Sequence, residues 1–245
     1  LTEFLALGWG AWLICAVAIF CGTMLQRLAG QGLGMLASPV MALVAPEFLP
    51  ATMLLIGVVV GFRAVSVERS AVNKAELPPG FAGRTVGAVV AAWIATHVVD
   101  TGSFAYLVAG MVFLGIALSL LGVRVAIRPA TLFLGSVVSG LMGTLTAVGA
   151  PPLALLYQHE EARRSAAMQN TFFAFGMVVS IIALAVAGLI GLRHLLLALS
   201  LLPVALLALR VAQPFAQRAA KARIRPYALG LAGCAATVLI LKQVI

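Results

Sequence analysis

From residue 103 to residue 122 the chain carries no charged side chain. A run of that length and kind spans the ~30 Å hydrocarbon core of a bilayer as a single α-helix. Nine further apolar stretches accompany it, at 4–25, 33–45, 50–66, 81–99, 129–148, 150–157, 169–190, 194–211 and 226–242. Backbone N–H and C=O groups have no water to bond in hydrocarbon, so such stretches must be helices, which satisfy them internally. A β-barrel would need alternating polarity, and the run Leu195–Leu196–Leu197 is the opposite of that. Composition agrees: 63% of the residues are hydrophobic and 9% charged, too few charges to build a soluble shell. The expected fold class is therefore an all-α integral membrane protein.

The charges are gathered between the apolar runs. Most of the sixteen Lys and Arg fall within 63–84, 123–128, 158–168 and 210–225. By the positive-inside rule these basic loops lie in the cytoplasm. The connections bearing Glu47 and Asp100 then lie outside. The net charge of +9 is an orientation signal on this reading. No basic and aromatic interleaving marks a nucleic-acid partner.

Two of the segments, 33–45 and 150–157, are too short to cross comfortably. Each follows a break, Gln26 to Gly34 in the first half and Thr144 to Pro152 in the second. Sliding the chain on itself so that Gly30 falls on Gly149 also brings Thr52 onto Thr171 and Gly57 onto Gly176. The same shift lays inside loops on outside loops. The expectation is two inverted-topology repeats, 1–122 and 123–245, each a broken or re-entrant helix pair followed by three spanning helices. Paired, interrupted helices in inverted repeats point to a transporter site near the bilayer midplane. Glycines allow close backbone approach, and Pro151 and Pro152, which cannot donate to a helix ladder, end the preceding helix near Gly149. A half-helix that begins after such a break directs N–H groups and the positive end of its dipole at an anion.

The stretch Ser139-Gly140-Leu141-Met142-Gly143-Thr144-Leu145-Thr146-Ala147-Val148-Gly149-Ala150-Pro151-Pro152, followed by Arg164 and Asn170-Thr171, resembles the second-half motif of the TauE/SafE sulfite-exporter family. The region from Gly22 to Pro39 resembles its Gly-rich first-half motif, with Leu28-Ala29-Gly30-Gln31-Gly32 where the family runs Gly-Ile-Gly-Gly-Gly. The resemblance implies a permease of the bacterial inner membrane that moves sulfite, sulfonates or related small anions, usually outward. A channel or facilitator for a non-sulfur solute would share the same helix breaks.

Candidate substrate ligands are Gln26, Arg27, Gly30, Gln31 and Gly32 at the first break, and Thr144, Thr146, Gly149, Pro151, Asn170 and Thr171 around the second. Arg27 is the cation expected at the centre, because a guanidinium between apolar segments must be paired or wetted and its fork suits an oxyanion. The alternative is that it snorkels to an interface. The hydroxyls have a competing structural use, since Ser and Thr bond back to the preceding turn. His97 and Asp100, one turn apart, are weaker candidates for a gate or proton relay.

Cys15, Cys21 and Cys234 lack metal or disulfide spacing, and no nucleotide-binding or hydrolase motif stands in a credible context. The expectation is therefore a transporter, not an enzyme, with no cofactor or metal. Its partners are a small anion and the bilayer, and its apolar outer faces suit lipid and a second copy of the chain equally well.

Overall fold

The computed structural model describes residues 7–29, 32–97, 101–120, 125–216 and 221–244. They form α1 (Trp9–Ala29), α2 (Leu33–Val44), α3 (Ala51–Glu68), α4 (Leu77–Ala95), α5 (Thr101–Leu120), α6 (Pro129–Thr146), α7 (Ala150–Tyr157), α8 (Ala162–Val186), α9 (Leu192–Ala216) and α10 (Lys221–Val244). Three short 3-10 turns complete the ordered structure, and no strand occurs among the described residues. Each helix answers one of the ten apolar segments. Among the described residues, five helices are long and apolar enough to cross a membrane by length and composition.

The helices are longer than the apolar runs at their polar ends. α4 begins at Leu77 rather than 81, because Pro78 and Pro79 occupy its first turn, where a missing N–H costs nothing. The stretch 63–84, expected as a basic loop, is therefore mostly helix: Arg63 belongs to α3 and Arg84 to α4. Likewise 162–168 is the first part of α8, and 210–216 is the last part of α9.

α2 and α7 are the two short helices. Twelve and eight residues rise only ~18 and ~12 Å, well short of a bilayer core. α6 stops where Ala147 turns left-handed (φ 60°), with its N–H returned to the Gly143 carbonyl. α7 restarts at Ala150, with Pro151 and Pro152 in its first turn. Gly32 (φ 156°) opens α2, and a Cβ there would lie 2.5 Å from that of Leu25.

The most extensive contact is between α4 and α6, where small residues bring the backbones together. A Cβ on Gly83 would lie 2.3 Å from the Phe133 carbonyl oxygen, and one on Gly87 2.2 Å from that of Val137. Such small-residue faces are how membrane helices gain van der Waals contact without a hydrophobic driving force. α1 packs on α9, α3 on α8, α5 on α10, α4 on α8, α3 on α9, α2 on α10 and α5 on α7. Exchanging each of the first five helices with its counterpart five places later turns these contacts, with that of α4 and α6, into the same set.

The outer surface is apolar. Trp9, Val17, Trp93, Leu134, Val186, Leu199 and Val238 are exposed on it, whereas Thr23, Ser38, Thr52, Ser136, Ser139 and Thr144 are fully buried. Large outward apolar area with polar residues inside is the arrangement lipid demands.

Candidate substrate site

The two helix breaks meet. A Cβ on Gly34, in the first turn of α2, would lie 1.8 Å from the Ala147 carbonyl oxygen at the end of α6. Only a residue without a side chain permits that approach. Beside this contact lies a cavity of about 30 Å³, walled by Gln26, Gly32, Gly34, Gly149, Leu54 and Arg84 among others. It is roughly large enough for one or two waters. The N-caps of α2 and α7, Gly32 and Gly149, both line it, and as glycines neither offers a side-chain cap of its own. At the start of α2 the Leu33 N–H is taken by Gln26 Oε1, and in the first turn of α7 the donor is the Ala150 N–H, since Pro151 and Pro152 carry none.

Arg84 supplies the charge. It is 2% exposed, and among the described residues no carboxylate pairs with it. Its Nη1 donates to the Ser139 carbonyl (2.7 Å) and to Ser139 Oγ (2.9 Å), while its buried Nε has no partner among the described residues. The Ser139 hydroxyl in turn donates to the Gly149 carbonyl, tying the arginine's support to the second break. Gly143, Gly149 and Gly176 make the slot for the guanidinium, and a Cβ on Gly176 would fall 2.0 Å from both Nε and Nη2. A buried ion is costly unless compensated. This one is held by neutral groups, with its Nε, against Gly176, left over as a donor among the described residues.

Of the residues expected from sequence, Gln26, Gly32 and Gly149 line this cavity. Gln26 Oε1 accepts from the Leu33 N–H (3.4 Å), and its Nε2 donates to Asn170 Oδ1 (3.4 Å), linking α1 to α8 behind the wall. Thr144 exchanges a hydrogen bond with Ser180 (2.6 Å). Thr146 and Thr171 donate to carbonyls four residues back, Met142 and Ala167, the local bonding that competes with a ligand role. Pro151 is buried and packs against Gly115 of α5. His97 is exposed near the end of α4, within hydrogen-bond distance of the Trp93 carbonyl. Gly30, Gln31 and Asp100 lie outside the described residues.

Arg27 is elsewhere. Although adjacent to Gln26, it lines a separate cavity of about 590 Å³ together with Arg63 and Arg210. A third cavity, about 340 Å³, lies between Glu47, Leu189 and His194. Leu54 of the central cavity and Leu184 of this third one share a buried cluster, each 1% exposed.

Two features are not legible from the order of residues alone. The nearness of Arg84 to other basic residues places it at a loop flank. The signal against that placement is Gly80, Gly83 and Gly87, at helical spacing on the face that carries Arg84. The second feature is an ionic latch at the far end of α7. Glu76 Oε1 accepts from Arg164 Nη2 (2.5 Å) and Asn73 Nδ2 (2.7 Å), and its Oε2 accepts from Tyr157 (2.5 Å). Arg164 also donates to Glu160 (2.5 Å). The latch joins the start of α4 to the last residue of α7 and the first turn of α8. Among the described residues no three His, Cys, Asp or Glu side chains converge to hold a metal ion.

Lipid-facing helices around two paired interruptions, with a buried cation between them, define the class as a multi-pass α-helical membrane transport protein. The family model "Sulfite exporter TauE/SafE" matches residues 14–239 of the 245, and the chain belongs to that family. No curated protein and no solved structure matches the chain.

Proposed function

We propose that the protein exports a small sulfur-containing oxyanion, sulfite or a short sulfonate, bound where the two helix breaks meet. The observation that carries this reading is Arg84, a buried guanidinium on the wall of the central cavity, with no carboxylate partner and no partner for its Nε among the described residues. A negative substrate supplies the missing charge. The guanidinium fork suits an oxyanion, the positive ends of the α2 and α7 dipoles lie beside it, and Gln26 adds a neutral polar group.

The exchange symmetry of the helix contacts supports two inverted repeats, 1–122 and 123–245, that rock against one another. The central cavity is too small for the substrate as it stands, which favours an alternating-access carrier over an open channel. With the basic helix ends in the cytoplasm of a bacterial inner membrane, the cavity of Arg27, Arg63 and Arg210 faces inward. That of Glu47 and His194 then faces outward, closed from the centre by Leu54 and Leu184.

Purified protein in liposomes tests the reading. Saturable sulfite flux that short sulfonates inhibit, and that uncharged sulfones do not, is the expected outcome. Absence of saturable flux for every anion in the series would overturn it.

A further inference from the structure

The short helix α7 carries a polar contact at each end. At its start, Gly149 is tied to Arg84 through the Ser139 hydroxyl, and a Cβ on Gly149 would lie 3.0 Å from Arg84 Nη1. Its last residue, Tyr157, donates to Glu76 Oε2. Both contacts return to α4: Glu76 is the N-cap of that helix, and Arg84 stands eight residues further on. Gly149 and Tyr157 are likewise eight residues apart. At 1.5 Å per residue each stretch is ~12 Å long, so α4 and α7 make two antiparallel sides of equal length, joined at both ends. Midway along α4, a Cβ on Gly80 would lie 2.1 Å from Phe172 Cε1 of α8, and the Phe172 ring stands 6.3 Å from that of Tyr157. α6 and α8 pack against both sides.

A helix of eight residues is about two turns long and has no length in which to absorb a displacement. Movement at Tyr157 is felt at Gly149. The flanks of α7 make apolar contacts, Leu156 against Gly135 of α6 and Pro151 against Gly115 of α5. Apolar contact is non-directional, whereas hydrogen bonds fix distance and angle. The position of α7 along its own axis is therefore set at its two ends.

We propose that Glu76, Tyr157 and Arg164 are positioning residues for the anion site. Through α7 they hold Gly149 and Ser139 in register with Arg84, so that the latch closed at one end tightens the site at the other. Arg164 is partly exposed and shared with Glu160, so the latch is undone from the surface. On the orientation proposed above that surface is cytoplasmic, the side from which an exported anion is loaded. The effect on affinity rests on the substrate site proposed above; the mechanical link between the ends of α7 does not.

Hydrogen–deuterium exchange of the full chain in detergent, with no anion present, tests the link. Tyr157→Phe removes one hydroxyl and keeps the ring. It is expected to speed exchange of the amides of 147–150 at least fivefold more than those of α9, and Arg164→Gln should do the same through another donor to Glu76. Sulfite titration of the same proteins is the second readout. Both variants should bind at least fivefold more weakly, whereas Glu160→Gln, which leaves the three donors to Glu76 in place, should stay within twofold of wild type. Unchanged exchange at 147–150 would overturn the proposal, and so would an equal increase in α9, which would make the latch a general strut. Faster exchange with unchanged sulfite affinity would overturn it as well. Should wild type bind no anion, the substrate site falls, and with it the effect on affinity, while the exchange data still decide the link.

Discussion

Replacing Arg84 by methionine separates a charge kept for substrate from a charge kept for structure. Its Nη1 is committed to Ser139, so the donors left for a ligand are Nε and the rest of the fork. A charge-assisted hydrogen bond contributes about 1.5–3 kcal/mol, so two to an oxyanion contribute roughly 3–6 kcal/mol. The lower figure corresponds to at least ~100-fold in affinity. Stability moves the other way or not at all. Met fills much of the slot between Gly143, Gly149 and Gly176, and Ser139 Oγ keeps its bond to the Gly149 carbonyl. Exchanging a buried charge for an apolar group of similar size is often neutral or stabilising. We therefore expect Arg84→Met to bind sulfite at least ~100-fold more weakly, by isothermal titration in detergent, with an unchanged or raised Tm. Arg84→Lys, which keeps the charge without the fork, should fall between. Unchanged affinity in Arg84→Met would refute the assignment. A fall of ten degrees or more in Tm would refute it too, by making the arginine a strut.

Gly34→Ala places a Cβ 1.8 Å from the Ala147 carbonyl and must part the two breaks; flux should fall at least tenfold, while Gly110→Ala, where nothing lies within 4 Å, should leave it intact. Gly176→Ala would push on Arg84 Nε and Nη2 and should weaken anion binding without unfolding the protein, as ligand titration would show. Glu76→Gln removes the carboxylate shared by Arg164, Tyr157 and Asn73; a loss of about 2 kcal/mol, or roughly 4–8 °C in thermal unfolding, is expected. A shift under one degree would show that the latch contributes nothing.

The helices and their interruptions are legible because the forces that set them are local. Hydrocarbon requires backbone bonds to close within a segment, so apolar length reads directly as a helix: the segment 33–45 becomes Leu33–Val44, and 150–157 becomes Ala150–Tyr157. Pro151 and Pro152 mark the second restart by their own chemistry. Gln26, Gly32 and Gly149 can likewise be placed at the site, because they belong to the breaks themselves.

Which cation sits between the breaks was decided by tertiary structure. In sequence Arg27 is alone among apolar residues and reads as the central cation, whereas Arg84 reads as one of a basic cluster, with the spacing of Gly80, Gly83 and Gly87 as the sole local sign against that. Arg84 is buried because Ser139, Gly143, Gly149 and Gly176, all remote in sequence, make its slot and accept its hydrogen bonds. Arg27, one residue from Gln26, is turned by the helix toward Arg63 and Arg210. Glu76 became a latch in the same way, through Tyr157 and Arg164 from the other half of the chain. The sequence by itself determined the membrane class, the ten helices and where two of them break, since each follows from how a segment meets hydrocarbon. Only the packing of distant helices decided which charge would be enclosed, because the energy of a buried ion depends on the groups brought around it and not on its neighbours along the chain.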